Sequence, residues 1–194
     1  MIGFDSLPVE FYARDARDVA RDLIGCILWS MVGGERTGGA IVETEAYLEN
    51  DPASHSFCGQ TYRNRSMFGP PGRAYVYRSY GVHWCLNVVT GVDGRGEAVL
   101  IRALEPIAGL EVMRRRRGSD TDRDLCRGPG RLCQALGVTG ELDGLPLQDQ
   151  VLWIEPRKGP APAVIRSSRV GIIKATDKPW RYLHAGSTWV SRRP

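Results

Sequence analysis

Lysine is scarce in this chain of 194 residues. Only Lys158, Lys174 and Lys178 occur, and none is close in the sequence to the acidic segment at 41–47 or the aromatic segment at 75–89. Catalysis through a Schiff base requires a lysine amine that can reach the reacting carbonyl carbon. The sequence therefore disfavours chemistry that proceeds through a lysine imine.

Long apolar runs are also lacking. No stretch approaches the roughly 20 residues that span a bilayer. The first six residues, MIGFDS, lack the basic and apolar regions of a secretory signal. We therefore expect no membrane association and a cytoplasmic location.

The cysteine pattern excludes two further classes. Five cysteines occur, an odd number, and no two of them form a Cys-x-x-Cys pair, so neither a disulfide framework nor a zinc site is indicated. The five cysteines lie at positions 26, 58, 85, 126 and 133. We predict no metal and no organic cofactor.

Length and charge favour one moderately basic globular domain. A chain of this length can bury a single sizeable core, so we predict one domain over residues 1–194. The formal net charge is +4, and the arginines cluster at residues 63–73, 114–117, 123–131 and 192–193. Clustered arginine favours contact with phosphate, although such runs are also typical of a solvated surface.

An acidic segment, residues 41–47 (IVETEAY), is the first candidate for chemistry. If it is a strand, alternation places Ile41, Glu43, Glu45 and Tyr47 on one face and the smaller, mostly apolar residues on the other. Carboxylates beside a phenol then line a cleft and suit acid/base catalysis. A solvated strand face is the alternative, because any half-buried strand alternates.

An aromatic segment follows at residues 75–89. Two strands, 75–79 and 84–89, are predicted around a turn at Tyr80 and Gly81. Tyr75 and Tyr77 then share one face, and Tyr80 lies at the tip of the hairpin. Such rings can stack on nucleobases. The alternative is that they are ordinary packing residues.

Other elements are predicted from periodicity and from proline and glycine signals. Helices are expected from about residue 6 or 7 to 23, from 105 to about 115, and over 128–136, with further strands at 99–104 and 169–173. Asn87 and Arg102 are polar residues within apolar strands. Each either serves the site or makes a structural hydrogen bond or salt bridge. His55 lies in a long polar loop.

Several separated segments, in matching order along nearly the whole chain, resemble the 3-methyladenine (alkyladenine) DNA glycosylases of the vertebrate and bacterial type. The segments are 41–47 (IVETEAY), 53–56 (ASHS), 63–68 (RNRSMF), 75–77 (YVY) with Tyr80-Gly81, 86–87 (LN), 100–106 (LIRALEP), 128–136 (GPGRLCQAL) and 169–171 (RVG).

The resemblance implies a role for each matched residue. Glu45 would be the general base that activates a water molecule, held with the help of Arg102 and the backbone carbonyl of Val170. Tyr80 would fill the gap left in the duplex, and Glu43 receives no role. The residues that would enclose or select the extruded base are Tyr47, His55, Tyr77 and Asn87.

The implied enzyme is a monofunctional DNA glycosylase. It would flip alkylated purines out of duplex DNA and hydrolyse their N-glycosyl bonds, leaving an abasic site at the start of base excision repair. Its partner would be double-stranded DNA carrying alkylated bases, with no obligate protein partner and a monomeric state. The expected location is then the bacterial cytoplasm, in association with the nucleoid. The arginines expected to contact DNA are Arg63, Arg65, Arg127 and Arg131.

The expected fold is a single mixed α+β domain with a curved antiparallel sheet, a protruding β-hairpin and peripheral helices. The hairpin indicates the sheet type, and the resemblance implies the rest. Two other functions remain open from the residues alone: a nucleosidase acting on free nucleosides, and a non-catalytic nucleic-acid-binding module.

Overall fold

An antiparallel sheet organises residues 5–194, the part of the chain that the computed structural model describes. Its main path runs in the order β3-β4-β5-β2-β1-β6, and β8 and β7 branch from β2. The strands are β1 (Ile27–Ser30), β2 (Thr37–Tyr47), β3 (Ala74–Ser79), β4 (His83–Val89), β5 (Ala98–Ala108), β6 (Leu152–Glu155), β7 (Val164–Ser167) and β8 (Arg181–His184).

The long strand β2 makes the sheet branch and curl. One edge of β2 pairs with β5 along nearly its full length. Its other edge pairs with β1 over residues 37–40 and then with β8 over residues 43–45. Because β1 and β8 both pair with this edge of β2, the sheet branches there and curls into a half-barrel. The predicted fold class, a mixed α+β domain with a curved antiparallel sheet, is confirmed.

Short helices pack around this sheet. They are α1 (Val9–Tyr12), α2 (Ala16–Asp22), α3 (Leu110–Arg117), α4 (Asp122–Leu125) and α5 (Pro129–Leu136), with 3₁₀ turns at Val32–Gly34, Arg65–Phe68 and Gly140–Leu142. The apolar sides of α2 and α5 join the strands in the main core. No helix within residues 5–194 is long and apolar enough to cross a membrane.

The first predicted helix is divided in two. Helix α1 ends at Tyr12, and α2 begins at Ala16. The side chain of Asp15 accepts a hydrogen bond from the backbone N–H of Arg17, which is the normal N-cap arrangement. The chain can therefore restart a helix at a new angle. The predicted helix over 128–136 is confirmed as α5, with Pro129 in its first turn.

The helix predicted from residue 105 to about 115 is present as α3, but it begins later than predicted, at Leu110. Strand β5 continues to Ala108, and Pro106 pairs with Gly39 beside a register shift in β2. A proline is tolerated at such an irregularity because a ladder hydrogen bond is already missing there. Gly109, with φ of 72°, then turns the chain into α3.

The strand predicted at 169–173 is also wrong. These residues form an irregular loop, and the nearby strand is β7, which the sequence pattern did not predict. The loop is held by a side chain rather than by sheet pairing: Arg169 is buried, and its Nη1 donates to the carbonyl oxygen of Ala46 at 3.0 Å. This loop passes along the wall of a cavity of about 830 Å³.

Candidate active site

A bulge in β2 changes which side chains share the acidic face. Ile41 pairs with Leu104 and Glu43 pairs with Ala103, so β2 has one extra residue between the two pairs. Ile41 packs in the main core, whereas Val42 packs against Ala103 in a separate cluster. The predicted alternation is therefore wrong for Ile41 and Val42 and holds from Glu43 onward.

A second irregularity in β5 aims Arg102 at the carboxylates. Glu43 pairs with Ala103, and the next residue, Thr44, pairs with Ile101. Arg102 is therefore an extra residue in β5 with no partner in β2. Bulges commonly redirect a side chain next to an active site. Here Arg102 Nε lies 3.0 Å from Glu43 Oε1, and its Nη1 lies 3.2 Å from Oε2 of Glu45.

Glu45 has no exposed surface, yet all three groups that contact it line a cavity. Its Oε1 accepts from the backbone N–H of Val170 at 2.7 Å, and its Oε2 accepts from the Tyr47 hydroxyl at 2.8 Å and from Arg102. Burial, together with the charge of Glu45, raises the pKa of Tyr47 well above its ordinary value, so this phenol remains a donor. Glu45 lies directly behind the cavity wall.

The second carboxylate, Glu43, faces away from the cavity into a structural network. It accepts from the backbone N–H of Ser191 at 2.5 Å and from its hydroxyl at 2.9 Å, and Arg181 Nε lies 3.2 Å away. Burial lowers the pKa of Arg181 below its ordinary value. Burial also acts to lower the pKa of Arg102, but the negative charges of the two glutamates outweigh this effect and raise that pKa overall. The negative charges of Glu43 and Glu45 are therefore balanced by the positive charges of Arg102 and Arg181. Sequence reasoning missed Arg181 and Ser191, since neither lies in a recognisable motif.

The cavity in front of Glu45 has a volume of about 830 Å³ and aromatic walls. The rings of Tyr75 and Tyr77 are stacked with centroids 5.4 Å apart, and His55 meets Tyr77 edge-on at 4.5 Å. Tyr47 completes this wall. The structure thus brings together the three residues predicted to enclose a base, Tyr47, His55 and Tyr77, and adds Tyr75.

The aromatic walls are electrically neutral. Burial, and secondly the positive charge of Arg63, lowers the pKa of His55 below its ordinary value, so the ring is uncharged at neutral pH. Burial raises the pKa values of Tyr75 and Tyr77. The Nδ1 atom of His55 lies 2.9 Å from the Tyr75 hydroxyl, which fixes the orientation of both rings.

Asn87 makes a structural hydrogen bond and also lies in the cavity wall. Its Nδ2 donates to the backbone carbonyl of Tyr75 at 3.0 Å, which is a structural hydrogen bond. It also lines the cavity, although only 4% of its surface is exposed. Its amide is therefore held rigidly in the cavity wall.

The hairpin formed by β3 and β4 carries an exposed ring at the cavity rim. Tyr80 is 91% exposed and has a φ of 50°, the left-handed region that few non-glycine residues adopt. Gly81 follows with a φ of 70°, and both residues line the cavity. The predicted position of Tyr80 at the hairpin tip is confirmed.

The four arginines predicted to contact DNA lie at different places. Arg63 lines the cavity and donates to the backbone carbonyl of Arg78 at 2.8 Å. Arg65 stacks over Tyr62 with its guanidinium carbon 4.4 Å from the ring centroid. The remaining two lie away from this cavity: Arg131 pairs with Asp124 at 2.9 Å, and Arg127 Nε donates to the Val190 carbonyl at 2.8 Å.

The tertiary structure brings one lysine to the cavity. Lys174 is distant in sequence from the acidic and aromatic segments, but the loop after Val170 brings it to the cavity wall together with Ile172 and Ile173. Separation along the chain did not predict this, because the loop crosses the edge of the sheet.

The loop that carries Val170 is fixed by a buried ion pair. Both Arg169 and Asp51 have fully buried side chains, and Arg169 Nη2 donates to Asp51 Oδ1 at 3.1 Å. Sequence reasoning missed this pair, since 118 positions separate its members and neither lies in a local pattern. It also assigned Val170 a role through its carbonyl, whereas the contact with Glu45 is made by its N–H. The carbonyl role stays a prediction.

The described part of the chain contains no cluster of side chains that could coordinate a metal ion. Within residues 5–194, no group of three or more histidine, cysteine, aspartate or glutamate side chains is arranged to hold an ion.

Curated relatives resemble the chain over nearly its whole length. A candidate 3-methyladenine DNA glycosylase of Methanoculleus marisnigri is 53% identical, covering 97% of this chain and 100% of the relative. Candidate 3-methyladenine DNA glycosylases of Nitrosospira multiformis and Agrobacterium fabrum are each 52% identical over 96% of this chain, covering 94% and 93% of the relatives.

The fold and the site combine a curved antiparallel sheet with a buried carboxylate behind an aromatic cavity. The sequence model of one family, methylpurine-DNA glycosylase, matches residues 10–188. The chain belongs to the methylpurine-DNA glycosylase family and is a hydrolase of N-glycosyl bonds in DNA.

Proposed function

We propose that this protein excises alkylated purines of the 3-methyladenine type from duplex DNA and leaves an abasic site, as the first step of base excision repair. The observation that carries the proposal is the position of Glu45, whose contacts with Tyr47, Arg102 and Val170 place it directly behind the aromatic cavity. The names of the relatives support the substrate class. The enzyme acts in the cytoplasm as a monomer, without an obligate protein partner.

Neutral, electron-rich walls suit an alkylated purine. Alkylation at a ring nitrogen often leaves the base cationic, and aromatic faces attract cations. Tyr47 and Tyr77 supply such faces, and the uncharged His55 adds no repulsion. Extrusion of a nucleotide costs a few kcal/mol and costs least at a damaged pair. Asn87, held in the wall by Tyr75, clashes with the exocyclic amine of a normal guanine.

The hydrolytic step requires one water molecule and one carboxylate. Water attacks the anomeric carbon, its proton passes to Glu45, and the bond to the base breaks with its electron pair leaving on the purine. Because the alkylated purine departs readily, it needs no further activation. Arg102 and the Val170 carbonyl help to hold the water.

Tyr80 inserts into the duplex and occupies the gap left by the extruded nucleotide. We predict that Tyr80→Ala weakens excision from duplex DNA by about 5-fold to 150-fold, since stacking of one base on a ring contributes roughly 1–3 kcal/mol. Because the side chain is 91% exposed, the melting temperature should not fall. Single-turnover excision and thermal unfolding measure the two effects.

The control is Val92→Ala, which truncates another exposed side chain, at 69% exposure, outside the aromatic cavity. It should leave excision close to that of the unaltered enzyme. An equal loss in both variants would mean that Tyr80 has no special role in the duplex.

The product should be an intact strand with an abasic site. Although Lys174 lines the cavity, the proposed mechanism uses water as the nucleophile, so we expect strand breaks only after heat or alkali. Denaturing electrophoresis of a labelled duplex, with and without alkali, checks this. Borohydride trapping of the enzyme on DNA, lost in Lys174→Met, would instead establish imine chemistry.

The decisive test of the proposed function is a single-turnover assay on oligonucleotides that each carry one alkylated purine, run beside the corresponding free nucleosides. Release of the base from duplex alone supports the proposal. Activity on free nucleosides without activity on duplex would select a nucleosidase, for which the exposed Tyr80 has no use. Binding that is sensitive to salt but releases no base would select a non-catalytic module.

A further inference from the structure

A second cavity, of about 250 Å³, lies beside the C-terminal segment and is strongly basic. No acidic side chain within residues 5–194 lines it. Its polar side chains are Arg123, Arg127, His184, Ser187, Thr188 and Arg193, and Pro194 also lines it.

Two of these guanidinium groups are anchored by backbone carbonyls. Arg123 Nε donates to the Thr188 carbonyl at 3.3 Å, and Arg127 Nε donates to the Val190 carbonyl at 2.8 Å. Their terminal nitrogens have no acceptor among the described residues, and neither side chain is in an ion pair there. Arg131, four residues after Arg127, is by contrast paired with the carboxylate of Asp124. The lack of an ion-pair partner therefore distinguishes Arg123 and Arg127 from a neighbouring arginine.

Clustered, unpaired guanidinium groups are suited to a phosphate. The planar fork of arginine donates two parallel hydrogen bonds to a phosphate, and anchoring through Nε reduces the rotamer freedom lost on binding. The hydroxyls of Ser187 and Thr188 add further donors at the same cavity.

The basic cavity adjoins the active site through two short segments. Arg127 forms an isolated bridge with Ala103, the neighbour of Arg102, and Pro129, two residues later, lines the aromatic cavity. On the other side Val190 lines the basic cavity, whereas the next residue, Ser191, binds Glu43. The short segment from Arg127 to Pro129 therefore runs from the basic cavity to the aromatic cavity.

We propose that the basic cavity binds a backbone phosphate of the same DNA duplex whose damaged nucleotide occupies the aromatic cavity. The inference rests on the proposed function, because it requires a duplex as the substrate. It assigns Arg123, Arg127 and Arg193 a role in holding the duplex, away from the reacting atoms.

The test is the double variant Arg123→Gln with Arg193→Gln, which leaves the anchored Arg127 in place. Single-turnover excision from a duplex of about 25 base pairs, at several salt concentrations, gives the half-saturating enzyme concentration and the maximal rate. We expect the half-saturating concentration to rise severalfold, with an unchanged maximal rate. The salt dependence, log K against log[salt], should become shallower by about 0.9 for each lost phosphate contact.

The control is Lys158→Gln with Arg166→Gln, which removes the same charge from positions outside the basic and aromatic cavities. It should leave both the half-saturating concentration and the salt slope near their original values. An equal change in the control, or no change in the double variant, would overturn the proposal.

Two further arms identify the source of the phosphate and separate the two hypotheses. Shortening the duplex to a few base pairs around the lesion should remove the difference between the double variant and the unaltered enzyme. Binding of inorganic phosphate that is lost in the double variant, with unchanged duplex affinity, would assign the cavity to a free anion and overturn the proposal. Duplex binding measured by fluorescence anisotropy tests the basic cavity even if no base is released. Absence of base release would contradict the proposed function but not the phosphate site.

Discussion

Glu45→Gln should bind damaged duplex but lose base release. Glutamine is nearly the same size and can keep contacts with Tyr47 and Arg102, but it cannot take the proton of the attacking water. Removal of a general base typically lowers the rate by about 10²–10⁴-fold, and we expect a loss in this range. Single-turnover excision measures the rate, and duplex binding measured separately reports whether the cavity still accepts the lesion.

Glu43→Gln is the matched control, since Glu43 shares Arg102 with Glu45 but binds Ser191 and Arg181 on the side away from the cavity. We expect it to lower the melting temperature because it leaves Arg181 buried without its counter-charge. The folded fraction should retain much more activity than Glu45→Gln. If folded Glu43→Gln lost base release while Glu45→Gln kept it, the base would have to be Glu43.

The largest effect on stability is expected from Asp51→Asn. Its carboxylate is fully buried against Arg169, and removing one member of a buried pair leaves an uncompensated charge, which typically costs about 3–5 kcal/mol. Urea unfolding followed by tryptophan fluorescence measures the loss. Because this pair fixes the loop that carries Val170, excision by the folded variant should also fall.

Two variants test whether this effect comes from burial and pairing. Asp124→Asn removes a carboxylate from the exposed pair with Arg131 and should cost less than about 1 kcal/mol. Asp51→Leu combined with Arg169→Met replaces both charges with apolar groups and should recover part of the lost stability. If Asp51→Asn were as mild as Asp124→Asn, the buried pair would not be what holds the loop.

The predictable parts of the site are those with a local pattern. Alternation in β2 placed Glu43, Glu45 and Tyr47 on one face, and the adjacent residues Tyr80 and Gly81 were enough to indicate the hairpin turn. The resemblance to a known family added roles for further residues by their motifs. Alternation predicted the positions of Ile41 and Val42 incorrectly, because a bulge adds one residue to one strand and reverses the faces before it.

The contacts that complete the site join distant positions. Val170 reaches Glu45 across 125 residues, and Arg169 reaches Asp51 across 118. Lys174 arrives at the cavity by the same loop. Each contact depends on where a loop without regular structure crosses the sheet, and no periodicity specifies that path.

By itself the sequence determined the acidic strand, the aromatic hairpin with its exposed tip, and the family, because strand period, turn chemistry and motifs are properties of neighbouring residues. Only the tertiary structure decided that Glu45 contacts Tyr47, Arg102 and Val170, which line the cavity, while Glu43 contacts Arg181 and Ser191. The physical reason is that two buried carboxylates on one strand acquire different partners according to the bulges, strand pairings and loop contacts around them.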